Sequence, residues 1–424
     1  MMKYIFSVFF ILIQTNIHAQ LNLEYYIEKA KANSPLIYDN LNQSKAAQLD
    51  IERLRAFYTK PQIGISATYL FSPIMNLDNN KFQANSEGAN KYWGYDFAAA
   101  NGGQYQALLN ISQPLLNGGK LKIAAEQYNL ISQINLNNAK ISAHDIEKVI
   151  TDQYILCLQG IRQLDYAQNM ITLLTEQHQM IVKLVESSIY KQSDLTLLNI
   201  EKRNFALQLS ANKSTYKRDL MDLNTLCGIS DTALVFLQEI NLNLSGNTST
   251  SFFSEKYKLD SLNILVSQNN FELKYKPQLV AFANTGLNAV YAPTIPNRFG
   301  MSAGLTFAYN FFDGGQKNIN RSKADILLKS VSFYKDNFSN QNAIRKTKAL
   351  NEIASVVERL DITELQMQDY QVLLTLYKKE ILTGQLSIIN YITTLKNMAI
   401  VQRDSNILLS QKQQLINTYN YWNW

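Results

Sequence analysis

The sequence contains few of the residues that usually mark an enzyme or a metalloprotein. Its three histidines, His18, His144 and His178, do not cluster, and its nine methionines are scattered. It has no phosphate-binding Gly-rich loop, no nucleophile elbow and no convincing acid/base pair. The net charge of +6 includes no dense block of lysine and arginine, so nucleic-acid binding is not indicated. We predict a protein that is not an enzyme and that binds no metal and no cofactor.

Proline is absent between residues 115 and 276 and again after residue 296. Because proline breaks helix interiors, such tracts permit very long helices, and we predict helical hairpins over 120–228 and 316–421. An apolar residue recurs at almost every seventh position, which is typical of coiled-coil packing. The two series are Ile150, Cys157, Leu164, Ile171, His178, Val185 and Ile353, Leu360, Met367, Leu374, Ile381.

Long apolar runs are also missing, apart from one at the N-terminus. Met1–Ala19 has the features of a secretory signal: Lys3 precedes a short apolar stretch, and Ile17-His18-Ala19 is a passable cleavage site. No other run approaches the about 20 apolar residues of a transmembrane helix. Any passage through a membrane would therefore have to be made by strands.

One stretch, Met301–Gln316, indicates such a strand. Apolar residues alternate strictly with small or polar ones up to a turn signal at Asp313-Gly314-Gly315, and a helical pattern follows. The length suits a tilted crossing of a bilayer, which takes about 9–11 residues. Similar patterns predict strands at 61–71, 105–114, 277–291 and 301–312. The polar stretch over 72–104 is predicted to be a long loop.

The elements occur twice in the same order. The segment Lys60-Pro61-Gln62 recurs as Lys276-Pro277-Gln278. Similarly, the segment Asn117-Gly118-Gly119-Lys120 corresponds to Asp313-Gly314-Gly315-Gln316. We predict two structural repeats, 20–228 and 255–424, joined by an irregular connector at 229–254. In each repeat a helix precedes two strands and a helical hairpin. The predicted strand-to-helix turns contain Gly118, Gly119, Asp313, Gly314 and Gly315.

This arrangement resembles the TolC-like outer-membrane efflux family across essentially the whole mature chain. The resemblance implies a mainly α fold with a membrane β part. In it, a homotrimer shares a twelve-stranded barrel and its long helices form a periplasmic tunnel. The residues support an assembly independently, because four strands alone would leave unpaired edges in lipid. Apolar odd positions would face lipid and polar even positions the lumen. The candidate interfacial aromatics are Tyr69, Phe71, Tyr105, Tyr291 and Tyr309.

The resemblance also implies partners. They are a periplasmic adaptor, an inner-membrane pump or ABC transporter, and outer-membrane lipid. The two hairpin tips would form the periplasmic entrance and dock the adaptor. The residues placed there by position are Tyr190, Ser193, Asp194, Thr383, Gly384, Gln385, Leu386, Ser387, Asn390 and Thr393.

The second tip departs from the family pattern. Asn390 and Thr393 stand where family members have acidic residues, and Leu386 stands where they have a gating arginine. We therefore expect helix packing and neutral hydrogen bonds to hold the entrance, rather than an acidic ring or a salt-bridged latch.

The predicted function is a passive outer-membrane duct that exports small molecules for an energised pump. Protein secretion of type I is the alternative within transport, and the duct chemistry would look alike. A coiled-coil structural or adhesion protein and a soluble periplasmic adaptor are alternatives of other classes, but neither needs membrane-type strands.

Cys157 and Cys227 lie at similar distances on either side of the first predicted tip. In an oxidising periplasm they would form either a disulfide across the hairpin or two buried free thiols.

Overall fold

The computed structural model describes residues 21–71, 74–76, 81–83, 92–93, 103–246 and 251–424. The predicted signal, Met1–Ala19, lies outside these residues. The elements, in chain order, are α1 (Leu23–Ala32), α2 (Pro35–Thr59), β1 (Gln62–Phe71), β2 (Ile74–Asn76), β3 (Lys81–Gln83), β4 (Tyr92–Trp93), β5 (Gly103–Pro114), α3 (Gly118–Glu186), α4 (Gln192–Cys227), α5 (Phe253–Phe271), β6 (Gln278–Ala289), β7 (Phe299–Ala308), α6 (Gln316–Leu382) and α7 (Ile388–Trp422).

Four long strands form one antiparallel sheet in the order β1-β5-β6-β7. Together with the 69-residue α3 and the 67-residue α6, they confirm the predicted combination of membrane-length strands and long helical hairpins. The fourth strand is shorter than predicted, because it ends at Ala308 and leaves 309–312 outside the sheet. The predicted loop over 72–104 contains β2, β3 and β4, which pair in a small second sheet.

The register of the large sheet aligns residues of mostly the same character across the four strands, with Thr285 and Phe282 among the exceptions. One row runs Ile65–Leu109–Thr285–Met301, and the next runs Gly64–Asn110–Asn284–Ser302. Alternate rows point to opposite faces, so the sheet has a largely apolar face and a largely polar face. The predicted odd/even alternation on β1, β5 and β7 therefore extends over the whole sheet.

Two glycines of the sheet are required by their surroundings. Gly286 has φ +149°, and a Cβ there would collide with the carbonyl oxygen of Ala107. At Gly304 a Cβ would lie 2.8 Å from Cζ of Phe282, the residue opposite it on β6. The ring of Phe282 therefore fits on the polar face only because Gly304, the residue opposite it, has no side chain.

Two compact units share the chain. Of the described residues, those within 1–38, 139–253 and 337–424 form the first unit, and those within 39–138 and 254–336 form the second. Each unit takes segments from both predicted repeats, and the division into repeats stays a prediction. Among the described residues, no helix is both long enough and apolar enough to cross a membrane.

The first unit has a central core built around three buried tyrosines, Tyr26, Tyr154 and Tyr216. The Tyr154 hydroxyl donates to the carbonyl oxygens of Leu21 and Gln238, at 3.0 and 2.7 Å, which ties the start of the described chain to the connector. Residues 229–246 of the connector contain no helix and no extended strand. Side-chain hydrogen bonds such as this one therefore help to hold it in place.

Both cysteines lie in this same core as free thiols. Burial raises the pKa of both, that of Cys227 to about 11, and the Cys227 thiol donates to the carbonyl oxygen of Tyr26 at 3.4 Å. Of the two alternatives from the sequence, the structure contains the buried thiols.

The helical hairpins of the first unit pack through a second core near their turns. On α3, Leu174 and Ile181 are almost fully buried, whereas Ile171 and His178 are only partly buried. Near the turn, the buried positions of α3 therefore lie three residues after the predicted ones: Leu174 instead of Ile171, and Ile181 instead of His178. On α6 the predicted positions Leu374 and Ile381 do lie in the core.

The second unit joins its helices through a smaller core. Leu130 of α3 packs with Leu259 and Val266 of α5. On the neighbouring helix α2, the buried Ser44 hydroxyl forms a 2.7 Å hydrogen bond with the Ser132 hydroxyl of α3. These contacts hold α2, α3 and α5 together.

Candidate functional site

The turn between α3 and α4 spans residues 187–191. Ser188 has a left-handed φ of +63°, and the Ile189 N–H donates to the Leu184 carbonyl at 2.9 Å. In the sequence, Ser193-Asp194 offers an N-cap for the returning helix. The structure starts α4 earlier, at Gln192, with Lys191 as the N-cap residue. Asp194 lies in the first turn, where its carboxylate accepts the Lys191 N–H at 3.0 Å. Ser193 is exposed.

The turn between α6 and α7 is a Schellman motif followed by a new helix cap. Gly384 has φ +73° and donates to Ile381 at 3.1 Å, while Gln385 donates to Glu380 at 3.0 Å. A left-handed residue at this position is normally glycine, which explains why one stands here. The Ser387 hydroxyl then caps α7 by accepting the N–H of Ile389 at 3.4 Å.

The two turns contact each other within the first unit. The Tyr190 hydroxyl donates to the Leu386 carbonyl at 2.6 Å. Cγ2 of Ile189 lies 2.9 Å from the position that a Cβ would take on Gly384. Leu386 itself is buried, and burial raises the pKa of Tyr190.

Other predicted tip residues do not take part in this contact. Thr383 and Thr393 are exposed, and their hydroxyls donate to carbonyls of their own segments, Glu380 and Ile389. Asn390 is exposed beside them on α7. The neutral Tyr190–Leu386 hydrogen bond is of the type expected from the sequence, whereas the adaptor-docking role of the ten predicted residues stays a prediction.

An ion pair behind the turns, between a buried carboxylate and an exposed lysine, was missed by sequence reasoning. Glu201 of α4 is 6% exposed, and its carboxylate lies 3.4 Å from the Lys396 ammonium of α7. Asn204 donates to the same carboxylate at 3.2 Å. The available signal was an acid in the buried stripe between Leu198 and Phe205, because a buried carboxylate needs a partner.

The polar face of the sheet is a second candidate functional surface. Its side chains bond across strands: the Asn110 amide donates to the Ser66 hydroxyl at 2.8 Å, and the Ser302 hydroxyl donates to the Asn284 oxygen at 2.8 Å. These side chains remain accessible, so the face is suited to contact with water and polar solutes. On the opposite face, Ile65, Met301 and other large apolar side chains are strongly exposed.

The two predicted strand-to-helix turns are built differently. Asp313 caps α6 by accepting the N–H groups of Gly315 and Lys317, both at 3.0 Å, and a hydrogen bond from Tyr275 lowers its pKa. Gly314 and Gly315 adopt left-handed φ values of +68° and +83°.

The first of these turns depends on its asparagine. Gly118 and Gly119 are the first residues of α3 rather than turn residues. The Asn117 amide donates to the carbonyls of Tyr58 and Pro114 and so makes the turn.

No protein-family model matches the sequence, and no curated protein matches it either. Several solved structures share its fold. CusC, studied in connection with transmembrane channel formation, matches with a TM-score of 0.71 at 11% identity over 95% of this chain and 91% of that chain. The CmeC outer membrane channel of Campylobacter jejuni gives 0.69 at 12% identity over 96% and 86%. The outer membrane protein VceC of Vibrio cholerae gives 0.68 at 13% identity over 95% of both chains. At these identities the likeness establishes the fold.

Proposed function

We propose, from the premise that this chain has the TolC-like outer-membrane channel fold, that it is a passive export duct in the outer membrane of a Gram-negative cell. The observation that carries the proposal is the sheet with one apolar and one polar face in register over four strands. Such a sheet fits a barrel wall between lipid and an aqueous lumen. An enzyme, an adhesin or a soluble adaptor has no use for it.

The proposal includes a homotrimer. In the four-stranded sheet, β1 and β7 are edge strands, each paired on one side only. An unpaired strand edge in lipid costs several kcal/mol for each unsatisfied backbone group, so β1 of one copy must pair with β7 of the next. Three copies with four strands each make the twelve-stranded barrel that the family resemblance implies.

We infer that the duct works with a periplasmic adaptor and an energised inner-membrane pump and exports small molecules. A channel has no energy source of its own. The paired turns at Tyr190 and Gly384 are the surface proposed for adaptor docking. Opening of the duct would require the contact between the two turns to break. The hairpins would then move from one packed arrangement to another.

The first test is the detergent-corrected mass of the protein extracted from outer membranes. A mass of three chains and ion conductance in planar bilayers are expected. A monomer, or a protein released without detergent, would refute the duct. Deletion of the gene should then sensitise cells to small toxic compounds. Unchanged sensitivity with lost export of a protein would instead assign the duct to type I secretion.

A further inference from the structure

The region where β5 ends and β6 begins, in the second unit, carries an excess of positive charge. Cations already pair with the carboxylates of Asp313 and Glu272. Asp313 lies 4.0 Å from the ammonium of Lys274. Glu272 lies 3.5 Å from Lys317 and 2.6 Å from Arg321, and the hydrogen bond from Arg321 is the main cause that lowers its pKa to about 2.

Two further lysines in this region have no acidic partner. The Lys276 ammonium lies 3.4 Å from the position that a Cβ would take on Gly119, next to Lys120. Within the described ranges of the chain, neither Lys120 nor Lys276 makes an ion pair. Burial and the neighbouring charge of Lys276 lower the pKa of Lys120. The two ammonium groups act unfavourably on each other, and an anion bound beside both would offset that repulsion.

A cavity of about 260 Å³ adjoins Lys120, and Lys276 lies beside its lining rather than in it. Lys120 and Lys274 line it together with the amide side chains of Asn117 and Gln278. The other lining side chains are mostly apolar, among them Phe57, Leu116 and Leu279. Phe57 is 49% exposed and Leu116 is 48% exposed, so the rim of the cavity is both apolar and open. Ammonium groups beside an open apolar rim match a molecule that has an anionic head and hydrocarbon chains.

We propose that this cavity binds the phosphate of an anionic phospholipid, with Lys120 and Lys276 on the phosphate and Phe57 and Leu116 against the acyl chains. The proposal rests on the membrane placement of the strands, which brings their ends to the level of the headgroups. Basic pockets at this level bind anionic headgroups. Inorganic phosphate uses the same ammonium chemistry, but it would leave the apolar rim in water, and the structure therefore favours the lipid.

The test is native mass spectrometry of the purified full-length protein in neutral detergent, titrated with phosphatidylglycerol, with phosphatidylcholine or with inorganic phosphate. The double variant Lys120→Gln/Lys276→Gln should bind phosphatidylglycerol about 30-fold more weakly than the wild type, at about 1 kcal/mol for each lysine. The matched control Lys122→Gln/Lys256→Gln removes two exposed lysines from α3 and α5 and should bind as the wild type does.

Three results would overturn the assignment. The double variant could bind phosphatidylglycerol as tightly as the wild type, or the wild type could bind phosphatidylcholine equally well. Binding of inorganic phosphate alone, with displacement of the lipid, would make the site a free-anion site. The oligomer mass in the same spectra reports separately on the duct, so a trimer without lipid refutes only the lipid site. Thermal unfolding checks the variant: without lipid it should unfold no earlier than the wild type, because a repulsion has been removed.

Discussion

Replacing Tyr190 with phenylalanine should loosen the contact between the two hairpin turns. The substitution removes the hydroxyl that donates to the Leu386 carbonyl at 2.6 Å and keeps the ring that packs against the core. A neutral hydrogen bond contributes about 1 kcal/mol net. The equilibrium for local opening of the turns should therefore rise about fivefold, without a comparable change in the rest of the first unit.

The assay is amide hydrogen exchange followed by mass spectrometry, comparing peptides that cover 183–194 and 380–392 with peptides from the central core of the first unit. Tyr377→Phe is the matched control. Tyr377 packs against the same core, and in the described part of the chain its hydroxyl has no recorded hydrogen bond.

The expected pattern is about fivefold faster exchange in both turn peptides of the Tyr190 variant and little change in the control. Equal exchange in the Tyr190 variant and the wild type would refute the reasoning. So would equal acceleration by Tyr377→Phe, because the effect would then come from altered packing and not from the hydrogen bond. In planar bilayers, the Tyr190 variant should also open more often than the wild type if the turns close the duct.

Three further predictions concern other parts of the molecule. Gly384→Ala should lower the melting temperature more than Gly314→Ala, because both positions have left-handed φ values but only the first places a Cβ within 2.9 Å of another side chain; equal effects would exclude the clash. The carboxyl of Glu272 has a folded pKa of about 2, below its unfolded value, mainly because Arg321 bonds to it. Its contribution to the free energy of unfolding is therefore complete above about pH 4.5 and lost as the pH falls towards 2. Over that pH range, the melting temperature of Glu272→Gln should fall less than that of the wild type. Cys157, free and buried with a raised pKa, should resist maleimide labelling in the native protein and label fully in denaturant without reductant; labelling that requires a reductant would indicate a disulfide.

Local patterns predicted the strands well. The alternation along Met301–Ala308 follows from a backbone period of two, which depends on neighbours in the sequence and not on distant contacts. Long helices were predicted for a similar reason, because proline is disfavoured in helix interiors and the two long tracts contain none. The left-handed Gly384 was also open to prediction, because glycine commonly ends helices in that conformation.

Details that depend on a partner surface were not predicted. The end of β7 at Ala308 depends on pairing, because β6 begins at Gln278 and offers no residue beyond that pair. The buried positions of α3 shift towards Leu174 and Ile181 near the turns. A pattern of seven does not say which of several parallel stripes faces the other hairpin.

In the candidate site, too, local features were predicted from the sequence and long-range contacts were not. The turns were located to within a few residues by their position in the family pattern. The start of α4 at Gln192 was missed, because Lys191 carries none of the usual N-cap side chains. The Tyr190–Leu386 bond joins residues 196 positions apart, and the pair of Glu201 with Lys396 joins residues almost as distant. No local pattern contains such pairs.

The sequence by itself determined the four long strands and the long helices, because backbone periodicity, proline and glycine act over a few residues. It did not indicate the short strands β2, β3 and β4. Only the tertiary structure decided which side chains meet. It brought the two turns into contact, paired a buried carboxylate with a lysine, and placed Lys120 near Lys276 at the strand ends. Those contacts arise from the packing of elements far apart in the chain, where the free energy depends on the fit of two surfaces and not on either segment alone.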